Sequence, residues 1–131
     1  MTIIRTITAI SLGALLTSAT PLLAQSADTA VTFAKDIAPI LQRSCQSCHR
    51  AGSMAPMSLV NYQEVRPWAR AIKEKVANRV MPPWHLDKTV GIRDFANDIS
   101  LSDAEIDAVV QWVDAGAPLG NPADMPAPIA W

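Results

Sequence analysis

Apolar residues recur at helical spacing in three segments of the chain, and no segment shows the strict alternation of apolar and polar residues that predicts a strand. The first of these segments leads directly into Cys45. Asp36 in front of it is the predicted N-cap, and Pro39 is tolerated in the opening turn. The i, i+3, i+4, i+7 spacing of one helix face is followed by Ile37, Ile40, Leu41 and Ser44.

The second segment begins at Asn61, with Glu64 three residues later as a weak variant of the capping box. Pro67 is expected to break or kink this helix, because proline removes a backbone donor and clashes with the preceding turn. A second helical piece is therefore predicted from Pro67 to about Arg79. Its apolar stripe is formed by Trp68, Ile72 and Val76.

The third segment carries the clearest helix signals. Ser102 and Glu105 form a capping box, and Gly116 followed by Pro118 predicts the helix end. One face consists of Ile106, Val109, Val110 and Val113. The three segments together predict an all-α fold, and the residues after Pro118, rich in proline and alanine, predict an extended tail.

The N-terminus has the pattern of an export signal. Arg5 is followed by an apolar stretch over residues 7–16 and then by small residues around Ala24. We predict a signal peptide over residues 1–24, with cleavage after Ser26 as the second choice. A retained membrane anchor is the alternative, but the apolar stretch is short of the roughly 20 residues that a span needs. The expected location is the periplasm, with no membrane span in the mature chain.

Length and charge restrict the remaining possibilities. Cleavage leaves 107 of the 131 residues, enough for one small domain, which we place at 33–119 between a linker (25–32) and an extended tail (120–131). Residues 33–79 hold eight basic and three acidic residues, whereas residues 80–131 hold two basic and eight acidic ones. Because the basic excess is local and the sequence has no known nucleic-acid-binding motif, we expect no binding to nucleic acid.

The chemistry of the chain is concentrated in the run Cys45-Gln46-Ser47-Cys48-His49, which holds both cysteines and one of the two histidines. The spacing C-x-x-C-H is typical of c-type haem attachment. Two thiols three positions apart on a helical turn share a face and could bond to both vinyl groups of one porphyrin, and His49 would then bind the iron. A thioredoxin-like dithiol lacks its preceding strand. A zinc site would need His85 as its fourth ligand, and its geometry is poor because His49 adjoins Cys48. A structural disulfide stays an alternative, although it would close a short, strained loop.

A second motif, Met81-Pro82-Pro83-Trp84, suggests the other axial ligand. A thioether is a soft, neutral ligand for haem iron, and two prolines stiffen the loop that carries it. His85 is the rival ligand, since imidazole also binds haem iron, and an open distal position is the third possibility. Met54 and Met57 lie a few residues after the haem histidine and are expected to pack on the proximal side.

These features resemble the class I monohaem c-type cytochromes, in particular a bacterial subgroup with a Met-Pro-Pro-Trp stretch after the haem motif. The resemblance covers residues 33–119 and rests on Cys45 to His49, on Met81 to Trp84, and on the helix that follows Leu101. It implies a small cytochrome c-like fold wrapped around one covalent haem c. It also implies that a proline carbonyl accepts the imidazole N–H of His49, and Pro56 is the nearest match.

The expected function is electron transfer in the periplasm, with His49 and Met81 as axial ligands, no catalytic residues and redox proteins as partners. No Ser/His/Asp set, carboxylate pair or phosphate-binding loop is present, so we do not expect an enzyme. The alternative is a haem enzyme or ligand sensor with an open or displaceable distal site. Such a pocket usually needs a distal acid–base residue, and His85 is the only candidate.

Overall fold

A computed structural model of the protein describes residues 30–84, 87, 89–91 and 95–131. This part of the chain is helical and contains no strand, which agrees with the all-α prediction. Its α-helices are α1 (Ala38–Ser44), α2 (Tyr62–Val65), α3 (Ala69–Ala77) and α4 (Asp103–Asp114). A π-helical turn at Phe33–Ile37 precedes α1, and short 3₁₀ turns lie at Arg66–Trp68 and Pro122–Asp124. The predicted signal peptide, residues 1–24, lies outside the described residues.

The first helical segment begins earlier than predicted, and the assignment of Asp36 as N-cap is wrong. Thr32 is the N-cap residue, and Asp36 lies one turn inside, where its carboxylate accepts a hydrogen bond from the backbone N–H of Thr32 at 2.7 Å. The backbone N–H of Phe33 donates to the carbonyl of Pro118 at 3.0 Å. The start of the helix is therefore fixed by a contact with a distant part of the chain.

The second segment is divided by Pro67 as expected. Asn61 caps α2, because its side chain accepts a hydrogen bond from the backbone N–H of Glu64 at 3.0 Å. Pro67 lies in the 3₁₀ turn between α2 and α3. The α3 helix ends at Ala77, two residues before the predicted end, and Arg79 has a left-handed backbone with φ of 53°. A left-handed residue just beyond a helix is a common way to end it.

The capping box predicted for the last helix is present. The hydroxyl of Ser102 accepts from the backbone N–H of Glu105, and the carboxylate of Glu105 accepts from the backbone N–H of Ser102 at 2.8 Å. Gly116 follows the helix with φ of 90°, a conformation that favours glycine.

The core is built where the π-helical turn, α2 and α4 meet. The ring of Phe33 packs against Tyr62 at 5.3 Å and against Trp112 at 5.9 Å between ring centroids. Trp112 is fully buried and its indole N–H donates to the carbonyl of Pro118 at 3.0 Å. The α3 helix packs along α4, and an ion pair between Lys73 and Asp114 links them. Arg79, just beyond the end of α3, pairs with Asp103 at the start of α4.

The tail follows the first helix. Leu119 accepts a hydrogen bond from the backbone N–H of Ala34, and the carbonyl of Ala127 accepts one from the side chain of Gln42. The indole ring of Trp131 lies under the guanidinium of Arg50, 4.6 Å from its central carbon. The tail thus runs from the start of the first helix past its end. Within the described residues, no helix is long and apolar enough to cross a membrane.

Candidate haem-binding site

A cavity of about 440 Å³ lies beside α3 and brings the residues predicted for the site together. Cys45, Cys48, His49 and Met81 all line it. The rest of the wall comes from residues 54–59, from one side of α3 and from the residues that follow Met81. His85, the rival ligand, lies outside the described residues.

The wall of this cavity is almost entirely apolar. On α3 it is formed by Ala71, Ile72 and Val76, and Lys75 is the one charged side chain among the described residues of the wall. Trp68 and Trp84 also line the cavity, and because both are largely exposed they mark its mouth. An apolar wall with few polar groups is typical of a site for an organic ligand.

The cysteine motif forms a turn at the end of α1. The backbone N–H groups of Cys48 and His49 both donate to the carbonyl of Cys45, at 3.1 and 2.9 Å. This turn places the two sulfurs and the imidazole on the same cavity. The motif can do so because α1 ends at Ser44, so the three side chains share one turn rather than a straight helix.

The Cys45 thiol is held in its protonated form. Burial raises the pKa of this thiol to about 11, although the positive charge of Arg43 acts in the opposite direction. Redox-active dithiols and thiolate metal ligands depend on a lowered thiol pKa. The raised pKa of Cys45 therefore favours neither chemistry at this residue. Among the described residues, no three His, Cys, Asp or Glu side chains converge in a way that could hold a metal ion.

His49 is oriented by a backbone carbonyl. Its Nδ1 lies 3.2 Å from the carbonyl oxygen of Met57. Because a carbonyl oxygen only accepts hydrogen bonds, Nδ1 is assigned the proton, and Nε2 keeps its lone pair for a metal ion. The acceptor predicted for this bond, the carbonyl of Pro56, is wrong by one residue. The backbone N–H of Leu59 donates to the carbonyl of His49 at 2.9 Å, which fixes the register of the loop.

Met81 is positioned by the way α3 ends. The backbone N–H groups of Val80 and Met81 both donate to the carbonyl of Lys75, at 2.9 and 3.2 Å. This turn folds the chain back over the cavity, and Pro82 directly after Met81 prevents further helix. Met81 is 40 % exposed, so its thioether lies at the edge of the cavity. Met54 and Met57 line the same cavity from the loop after His49.

Sequence reasoning missed two residues of this site. Lys75 reaches the wall because α3 presents it on the same side as Ile72 and Val76, a placement that helical spacing could have indicated. Gln46, the second residue of the motif, is buried, and its side-chain amide donates to the carbonyl of Leu59 at 3.0 Å. No local sequence pattern predicts that hydrogen bond, because its two partners are thirteen residues apart.

Comparison with family models, with curated proteins and with solved structures gives no match for this chain.

Proposed function

We propose that the protein binds one haem covalently through Cys45 and Cys48 and works as a periplasmic electron carrier with a small cytochrome c-like fold. One observation carries the proposal: both cysteines, His49 and Met81 line the same apolar cavity. Cys45, Cys48 and His49 come from one turn and Met81 from a distant part of the chain, so their meeting depends on the fold.

The donor set and the cavity fit a haem. A porphyrin is a large, flat, mostly apolar ligand, and the cavity of about 440 Å³ falls within the usual size of organic ligand sites. The two sulfurs lie on one turn, as attachment to two vinyl groups of one ring requires. The protonated Cys45 thiol matches this use, because addition to a vinyl group consumes the thiol proton and leaves a neutral thioether in an apolar wall.

In the bound protein the haem supplies one-electron chemistry, and the chain supplies the setting. The carbonyl of Met57 accepts from Nδ1–H of His49, which would leave Nε2 as the nitrogen that holds the iron. Met81 offers its sulfur from the turn after α3, and a neutral thioether favours the ferrous form. The apolar side chains of α3 would keep water from the bound group, which would limit the solvent reorganisation that accompanies a change of charge.

The cellular setting of the proposal follows from the export signal predicted over residues 1–24. A covalent haem of this type belongs to the periplasm in the resembled class I monohaem cytochromes, so we propose that location and redox proteins as partners. The rival function, a haem enzyme or ligand sensor, differs in requiring an open or displaceable distal position.

The test is to express the full chain with its predicted signal peptide in a bacterium that matures c-type cytochromes. Periplasmic protein should exceed the mass of the cleaved polypeptide by one haem, and the haem should survive acid–acetone extraction. Cys45→Ala with Cys48→Ala should abolish attachment, whereas Ser47→Ala, which changes an exposed residue of the same motif, should not.

Free thiols at both cysteines of the periplasmic protein would contradict the proposal. Carbon monoxide then separates the two haem functions. An electron carrier with a closed distal position should bind it slowly or not at all when reduced, whereas rapid binding would favour the enzyme or sensor.

A further inference from the structure

Gln46 is a buried polar residue inside the haem-attachment motif. Its side chain is 3 % exposed, and Nε2 donates to the carbonyl of Leu59 at 3.0 Å. A buried amide is costly to place unless it satisfies a partner, and a buried carbonyl is equally costly to leave unpaired. The bond therefore constrains both Gln46 and Leu59. It joins the cysteine turn to the loop after His49, which leads to Leu59.

Two backbone bonds fasten the same returning loop. The N–H of Ala55 donates to the carbonyl of Cys48 at 3.1 Å, and the N–H of Leu59 donates to the carbonyl of His49 at 2.9 Å. Leu59 is thus held twice, through its N–H by the backbone and through its carbonyl by Gln46. Three residues lie between these fastened points, and Met57 is the middle one.

Met57 is the residue whose carbonyl accepts the bond from Nδ1 of His49, at 3.2 Å. An acceptor at this nitrogen fixes the ring orientation of a metal-binding histidine and raises its basicity. A more basic axial ligand favours ferric over ferrous iron and so lowers the reduction potential. Any displacement of Met57 should weaken this bond and raise the potential.

We propose that Gln46 is a positioning residue for His49, acting through Leu59 and the carbonyl of Met57 to hold down the reduction potential of the iron. The inference rests on the proposed haem function, since it concerns the ligand strength of His49. The reduction potential separates this role from a purely structural one. If Gln46 only anchored the loop, its loss would change the stability of the protein and leave the reduction potential unchanged.

The test uses the exported holoprotein. Gln46→Met keeps the length and apolar bulk of the side chain but removes the donor to Leu59. The matched control is Ser47→Ala, at the neighbouring and exposed position of the motif. Gln46→Met should shift the potential upward beyond any shift in the control. Hydrogen exchange of the Leu59 amide should become about tenfold faster or more, as loss of a buried hydrogen bond implies, while the Val109 amide in α4 should not change.

Two results would overturn the inference while leaving the haem function intact. One is faster exchange at Leu59 with an unchanged potential, which would make Gln46 a loop anchor only. The other is no change in either measurement. A wild-type protein without covalent haem would overturn both proposals, and this failure is visible before any variant is made.

If Gln46→Met does not accumulate, proton exchange in the wild-type holoprotein tests the inference instead. A side-chain amide proton of Gln46 and the Nδ1 proton of His49 should both exchange slowly with solvent. Exchange of either at the rate of an exposed group would overturn the inference.

Discussion

Removal of the proposed haem should cost the domain most of its stability. The haem-free protein is obtained by replacing Cys45 and Cys48 with alanine and expressing the chain without its predicted signal peptide, residues 1–24. The magnitude follows from the cavity, whose volume is about 440 Å³. At roughly 24 cal/mol per Å³, the T4 lysozyme value for closed cavities, a dry space of this size would cost about 10 kcal/mol, and the loss here is smaller because the cavity opens to solvent at Trp68 and Trp84. A small domain has only about 5–15 kcal/mol in total.

The loss should not be uniform along the chain. Phe33 packs directly on Trp112, so the first helical segment and α4 keep a contact that does not involve the cavity. By contrast, α3 and the segments at 54–59 and 80–84 face one another across the cavity. They would lose their shared ligand and should lose their order first.

Far-ultraviolet circular dichroism and urea titration of holoprotein and haem-free protein measure this effect. The haem-free protein should show much reduced helicity and no cooperative transition, or one at far lower urea. The same helicity and the same urea midpoint in both forms would refute the reasoning, because the cavity would then need no ligand to remain formed. A variant with only Ser47→Ala controls for disturbance of the motif, since it should retain the haem and the full transition.

Three further results are expected. Met81→Ala should lower the potential of the holoprotein and admit carbon monoxide to the reduced iron, while His85→Ala should leave the spectrum unchanged; the reverse pattern would assign the distal position to His85. Trp112→Ala should lower the free energy of unfolding by about 3–5 kcal/mol in urea titration, because the side chain is fully buried, and a change below about 1 kcal/mol would contradict this. Burial opposes ionisation of Glu105, but hydrogen bonds from Ser102 and the charge of Arg43 outweigh it and lower the pKa of the carboxyl. The stability that Glu105 adds over Glu105→Gln should therefore be complete above the ordinary glutamate pKa of about 4.3 and disappear as the pH falls through the lower folded value.

The helices could be predicted well where their signals are local. The capping box at Ser102 and Glu105, the cap at Asn61 and the break at Pro67 are present as expected, because each depends on bonds between residues a few positions apart. The start of the first helix was not predictable in this way. Thr32 replaces Asp36 as its cap because Phe33 donates to the carbonyl of Pro118, a contact across the whole domain.

The candidate site likewise has features that the local sequence predicts and features that depend on the fold. The motif Cys45 to His49 and the methionine before two prolines carry their chemistry in their residue types and spacing, so the sequence alone nominated every proposed attachment and ligand residue. Spacing could not say that Met81 reaches the same cavity as His49, because the 31 residues between them allow many paths. It also could not choose between Pro56 and Met57 as the acceptor for His49.

What the sequence by itself determined is thus the set of chemical groups and the local helices, since both are encoded within a few neighbouring residues. Only the tertiary structure decided which groups meet. The packing of α3 on α4 and the return of the loop held by Gln46 place the cysteines, His49 and Met81 around one apolar cavity. The physical reason is that burial and hydrogen bonds between distant residues fix these positions, and such bonds leave no mark on the local pattern.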